Sequence, residues 1–199
     1  MGEDIHHILD MFFRKYDKKY NFMNPKYKNN RDAFADMIIK YTKGGEKYNK
    51  EIVKQVIDYG YELVEEIKRI TGDDFPDLEI YPELKISGDL SEPRQDGIKT
   101  LVGSIDLLVI DSKGNSYIFD YKTSPKQYSD YDSAKVRTFM YQLAVYNRLM
   151  QRFGFKDEYN RQYILPIQFE NFHLKNKDEA ILDPKKAEFT YDKLHWNKG

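Results

Sequence analysis

The stretch Gly103-Ser-Ile-Asp106-Leu-Leu-Val-Ile-Asp111-Ser-Lys-Gly-Asn115-Ser-Tyr-Ile-Phe-Asp120-Tyr-Lys122-Thr-Ser124 decides the fold. Residues 101–110 are rich in branched apolar side chains, 111–115 carry the Asp, Gly and Asn of a tight turn, and 116–121 are again apolar. The spacing predicts a β-hairpin. Side chains alternate faces along a strand, so Asp120 and Lys122 share one face while Tyr121 takes the other. Folding the second strand back on the first brings Asp106 to the same end of the hairpin. Two carboxylates and an amine then converge, flanked by Ile105, Leu107, Ile118 and Phe119. Charges beside a core need partners. A divalent cation is one such partner, because Mg²⁺ takes hard oxygen ligands and usually only one or two protein carboxylates, leaving room for water and phosphate. A structural ion pair at a solvated strand end is the other, and the spacing by itself fits both.

Outward from the hairpin, the hydrophobic period changes. Ile5, Ile8, Leu9, Phe12 and Phe13 recur at helical spacing, predicting a helix over 2–20. Asn24-Pro25 and Asn29-Asn30 mark a break. A second helix is predicted over 31–41, stopping at Gly44-Gly45, and a third over 48–70, closed by Thr71-Gly72. Leu78, Ile80, Leu84 and Ile86 alternate with other residues as a strand would, and 88–97 reads as a polar loop. After the hairpin, 133–153 is strongly helical with Gly154 as its stop, and 163–169 reads as a further strand. This order implies an α/β fold, a central mixed β-sheet flanked by helices with an N-terminal helical region. One domain is expected over 1–199, helical in 1–72 and α/β in 73–199.

The bulk composition narrows the function classes. A chain of 199 residues with 40% hydrophobic and 33% charged residues is globular rather than disordered. Its 17 Tyr and 12 Phe mostly serve packing, although such rings can also stack on bases. The net charge of −1 and a pI near 6.4 give no general basic character. The distribution says more: over 122–152, Lys122, Lys126, Lys135, Arg137, Arg148 and Arg152 face only Asp130 and Asp132, leaving +4, directly after an acidic stretch over 71–111. The absence of cysteine excludes disulfides, zinc ribbons and cysteine-ligated iron–sulfur clusters. No apolar run approaches the ~20 residues of a membrane span and the charged start lacks a signal peptide's apolar region, so a soluble, cytoplasmic protein without a membrane partner is expected.

The pattern G-x-x-D (Gly103 to Asp106), a hairpin, then D-x-K (Asp120 to Lys122) resembles the PD-(D/E)XK nuclease superfamily. Two further signatures resemble its RecB-like exonuclease branch. One is Q-x-x-x-Y on the helix after the hairpin, here Gln142-Leu-Ala-Val-Tyr146. The other is a histidine four residues after a glycine in an N-terminal helix, followed by an apolar–acidic pair, here Gly2-Glu-Asp-Ile-His6 with Leu9-Asp10. Each motif alone is common; the four stand in the family's order, on the expected elements.

The resemblance implies a restriction-endonuclease-like core and hydrolysis of DNA phosphodiester bonds with Mg²⁺ or Mn²⁺. Asp106 and Asp120 resemble the metal carboxylates, the main-chain carbonyl of Tyr121 a further ligand, and His6 the branch's extra ligand. Glu83, on the strand before the hairpin, could supply another acid, with Glu79 competing for that part. Lys122 resembles the catalytic lysine that orients water and offsets charge on the phosphate. Gln142 and Tyr146, four apart on one helical face, are implied to line the site and position the strand. Tyr128, Tyr131 and Phe139 could stack on it. Many relatives carry four cysteines for an iron–sulfur cluster, so this chain resembles the cluster-free members. The implied setting is DNA repair, recombination or a mobile element, with single-stranded DNA or a DNA end as partner. A larger parent protein, helicase or recombination protein is a further implied partner. Two alternatives stand beside this: a catalytically inactive nucleic-acid-binding module of the same fold, and an RNA endonuclease of the same superfamily.

Overall fold

The computed structural model describes residues 2–14, 19–89, 100–124, 134–154, 161–170 and 173–175. Helix α1 spans Gly2–Phe13 and buries Ile5, Ile8, Leu9, Met11, Phe12 and Phe13. It ends short of the predicted Tyr20, for a visible reason. The returning chain claims the carbonyls at and just beyond its end: Phe22 N donates to Phe12 O at 3.1 Å and Asn21 Nδ2 to Arg14 O at 2.9 Å, which satisfies groups that a helix end otherwise leaves open.

The predicted break at Asn24–Asn30 holds a short helix of its own, α2 (Pro25–Asn29), followed by α3 (Arg31–Tyr41) and α4 (Lys50–Thr71). Each starts on an asparagine, Asn24, Asn30 and Asn49, whose side-chain oxygen accepts a first-turn N–H. Arg31 ties the three together. Its Nε reaches Asp58 Oδ1 at 2.7 Å, its Nη1 caps the α2 carbonyls of Tyr27 and Lys28, and its guanidinium lies 4.0 Å from the Tyr61 ring.

The strands are β1 (Glu79–Asp89), β2 (Thr100–Ile110), β3 (Ser116–Ser124), β4 (Gln162–Glu170) and β5 (His173–Lys175), with α5 (Ala134–Arg152) between β3 and β4. Gly88, predicted to open a loop, belongs to β1 and pairs with Leu101, while 90–99 lie outside the described residues. The sheet runs in the order β1-β2-β3-β4-β5. Among the described strands only β3 and β4 pair in parallel, joined by α5 as such a crossover requires. The fold is therefore α/β with a mixed sheet between two layers of helix. One face packs Leu107, Val109, Phe119, Tyr121 and Leu165 against α1, α3 and α4. The other packs Ile105, Leu108, Ile118 and Ile164 against Leu143, Tyr146, Leu149 and Met150 of α5. Gly60 lets α1 approach α4, since a Cβ there would stand 2.9 Å from the Phe12 ring. No helix among the described residues is long and apolar enough to cross a membrane.

Candidate active site

The sheet is irregular at one place, and the site forms there. The β1–β2 register pairs Pro82 with Leu107 and Leu84 with Ile105, and the pairing lapses at Glu83 and Asp106 between them. Glu83 has φ of 49°, the one positive value outside glycine among the described residues. Both strands change phase here. On β1, Ile80 faces α1 and α4 whereas Leu84 and Ile86, of the same parity, pack on the α5 side; on β2, Leu107 and Val109 face α1 and α4 whereas Ile105 faces α5. The register is the same on both sides, so no residue is inserted, and the change of face falls at the left-handed Glu83. Such conformations cost of order 1–3 kcal/mol and collect at functional sites.

A second discontinuity meets the first. The β2–β3 ladder runs from Ile110 opposite Ser116 to Leu107 opposite Phe119 and stops. One step further, where Asp106 and Asp120 would face each other, the strands part: β2 continues with β1, and β3 with β4. Side chains replace the lost ladder bonds, as buried main-chain groups require. Tyr121 N donates to Asp106 Oδ2 at 2.7 Å, and Tyr146 OH donates to Ser104 O at 2.8 Å. The result is a notch between β2 and β3 with a carboxylate on each side.

Into this notch α1 delivers His6, whose Nδ1 lies 3.4 Å from Asp106 Oδ1 and whose ring meets the Tyr121 ring edge-on at 5.6 Å. Ligand atoms of His6, Glu83 and Asp106 all lie within 4.8 Å of one another. Burial would lower the His6 pKa, but the hydrogen bond to Asp106 and the charges of Asp106, Asp120 and Glu83 raise it. On the α5 side Lys122 Nζ pairs with Asp120 Oδ2 at 2.7 Å, donates to Gln142 Oε1 at 3.0 Å and sits 4.7 Å from the Phe139 ring centre. Asp120 is 2% exposed. Burial pushes its carboxyl up to about 6; Lys122 opposes that shift and Asp106 adds to it.

The structure thus brings His6, Glu83, Asp106, Asp120, Lys122, Gln142 and Tyr146 to one place but divides them. His6, Glu83 and Asp106 form a cluster, while Asp120 is engaged by Lys122. Two carboxylates and an imidazole suit a divalent cation with oxygen preference. The buried Asp120 Oδ2 is paired with the Lys122 ammonium, and Asp106 and His6 are its other charged neighbours. Glu79, the competitor of Glu83, sits opposite Ile110 at the far end of β1. Asp10, the acid of the pair that follows His6 in the histidine motif, lies one helical turn beyond it; burial raises its carboxyl and the Glu83 charge adds to that. Tyr146 is 4% exposed and faces inward. Lys126, Tyr128 and Tyr131 of the basic segment lie outside the described residues, as do the side chains of Lys135, Arg137, Arg148 and Arg152.

The model of the PD-(D/E)XK nuclease superfamily matches residues 1–195. Among solved structures the chain is similar to SSO0001, with 12% identity and a TM-score of 0.33 over 97% of this chain and 76% of that one. It is also similar to protein VC1899 from Vibrio cholerae, with 10% identity and a TM-score of 0.35; the match covers 97% of this chain and half the length of that one. No curated protein matches the chain.

Proposed function

From a chain that belongs to the PD-(D/E)XK nuclease superfamily, we propose a metal-dependent deoxyribonuclease of the RecB-like exonuclease type, acting on single-stranded DNA or a DNA end. The observation that carries the proposal is the meeting of His6, Glu83, Asp106, Asp120 and Lys122 at one notch in the sheet. The histidine motif of α1 and the Gln142–Tyr146 pair of α5 support the RecB-like type, and DNA as substrate follows from that likeness alone.

Asp106, Asp120, His6 and Glu83, with the carbonyl of Tyr121, would hold Mg²⁺ or Mn²⁺, which supplies polarisation of the phosphodiester and a more acidic water. Asp106 is held for this by the Tyr121 N–H on one oxygen, which leaves the other facing His6. Lys122, paired with Asp120, offers its ammonium to the attacking water and to the charge that builds on the phosphate. The leaving 3′ oxygen takes its proton from solvent.

Cleavage of labelled DNA by the wild type, Asp120→Ala and Lys122→Ala tests the assignment. Both variants are expected to lose Mn²⁺-dependent cleavage with unchanged circular dichroism. Equal activity in all three would end the assignment. An RNA of the same sequence, run in parallel, decides the sugar preference.

A further inference from the structure

A continuous hydrogen-bonded path runs from the main chain of β2 to the Lys122 ammonium, and it begins at a missing side chain. A Cβ on Gly103 would stand 2.5 Å from Tyr146 Cε1, so the tyrosine ring can cross β2 only where that strand carries glycine. Having crossed, Tyr146 OH donates its single proton to Ser104 O at 2.8 Å. The hydroxyl can then only accept, and it accepts Gln142 Nε2 at 2.7 Å. With the amide nitrogen so directed, Gln142 Oε1 turns towards Lys122 Nζ at 3.0 Å. Asp120 Oδ2 holds the same ammonium at 2.7 Å and the Phe139 ring lies beside it. Donor and acceptor roles are fixed along the whole path. A flipped Gln142 would set its NH₂ against an ammonium and leave Tyr146 OH without a donor.

We infer that Gly103, Tyr146 and Gln142 are positioning residues for Lys122, acting through the ammonium rather than by holding the nucleic-acid strand. The inference rests on the nuclease reading only in what it says about rate. It also gives the glycine of G-x-x-D and the tyrosine of Q-x-x-x-Y one shared purpose, since the first makes room for the second. A group that only positions a catalytic lysine changes turnover and leaves substrate affinity alone.

The test compares the wild type with Tyr146→Phe, which removes one oxygen, and Gly103→Ala, which displaces the Tyr146 ring without touching Lys122. The probe is a 5′-labelled single-stranded DNA oligonucleotide with Mn²⁺. For both variants kcat is expected to fall between about tenfold and about a hundredfold, as for a misplacement of about 1 Å, with KM unchanged. Crystal structures of the wild type and Tyr146→Phe should show Gln142 Oε1 withdrawn from Lys122 Nζ in the variant. A raised KM at constant kcat would mean that the pair holds substrate, which overturns the inference. Should the wild type itself cleave neither DNA nor RNA, the nuclease reading falls, and the crystal structures alone decide the path. Lys122 and Gln142 undisturbed in Tyr146→Phe would overturn it; their displacement would uphold it. Tyr146→Phe keeps the ring and the packing, so it answers even if Gly103→Ala does not fold.

Discussion

Asp106 Oδ2 accepts the main-chain N–H of Tyr121 at 2.7 Å, the bond that a continuing β2–β3 ladder would otherwise supply. One side chain therefore ends the pairing of two strands and presents its other oxygen to His6 at 3.4 Å. The structural and chemical duties of Asp106 can be separated by substitution.

Asp106→Asn keeps an oxygen for the Tyr121 N–H and loses the charge, so it should melt close to the wild type while losing Mn²⁺ binding by calorimetry. Asp106→Ala also leaves a buried N–H unpaired, at a cost of about 1–3 kcal/mol. Its melting temperature should fall by roughly several degrees. Equal destabilisation in both variants would show that charge, not the hydrogen bond, keeps this end of the hairpin folded.

The left-handed backbone of Glu83 gives a second prediction. Glu83→Gly relieves the conformation and Glu83→Ala does not, while both remove the carboxylate. The glycine variant should therefore be more stable than the alanine variant by about 1 kcal/mol in urea titrations. Both should bind Mn²⁺ more weakly than the wild type. An alanine variant at least as stable as the glycine variant would remove strain from the account of this site.

Asp111 sets a dependence of stability on pH. Burial would raise its carboxyl, but hydrogen bonds from the Asn115 side chain and backbone, Tyr117 OH and Lys113 N hold it below the usual range. A carboxyl whose folded pKa lies below its unfolded value of about 3.9 stabilises fully above that value and loses the contribution as pH falls through the folded one. The stability gap between the wild type and Asp111→Asn should thus be widest near about pH 6 and shrink towards about pH 3. A gap independent of pH in urea titrations would show that shape rather than charge holds the turn.

Much of this was legible along the chain. The turn residues Asp111 to Asn115 set the hairpin, and strand alternation put Asp120 and Lys122 on one face, where they pair. Helical spacing put Gln142 and Tyr146 on one side of α5, where they bond to each other. The limits of α1 were less legible, because Phe22 and Asn21 close its end from further along the chain. The phase reversal at Glu83 and Asp106 left no trace in the pattern. Leu78, Ile80, Leu84 and Ile86 alternate as if on one face, and a strand covered by apolar residues on both sides carries no mark of which face each one takes.

The sequence by itself determined which chemical groups gather at the end of the hairpin, since alternation, turn chemistry and helical period are properties of neighbouring residues. Only the tertiary structure decided how they are shared out. Lys122 takes Asp120, His6 and Glu83 take Asp106, and Tyr146 turns inward to Ser104. Each of those partnerships depends on where β2 leaves β3 and on the two helical layers that close over the gap, so no single element encodes it.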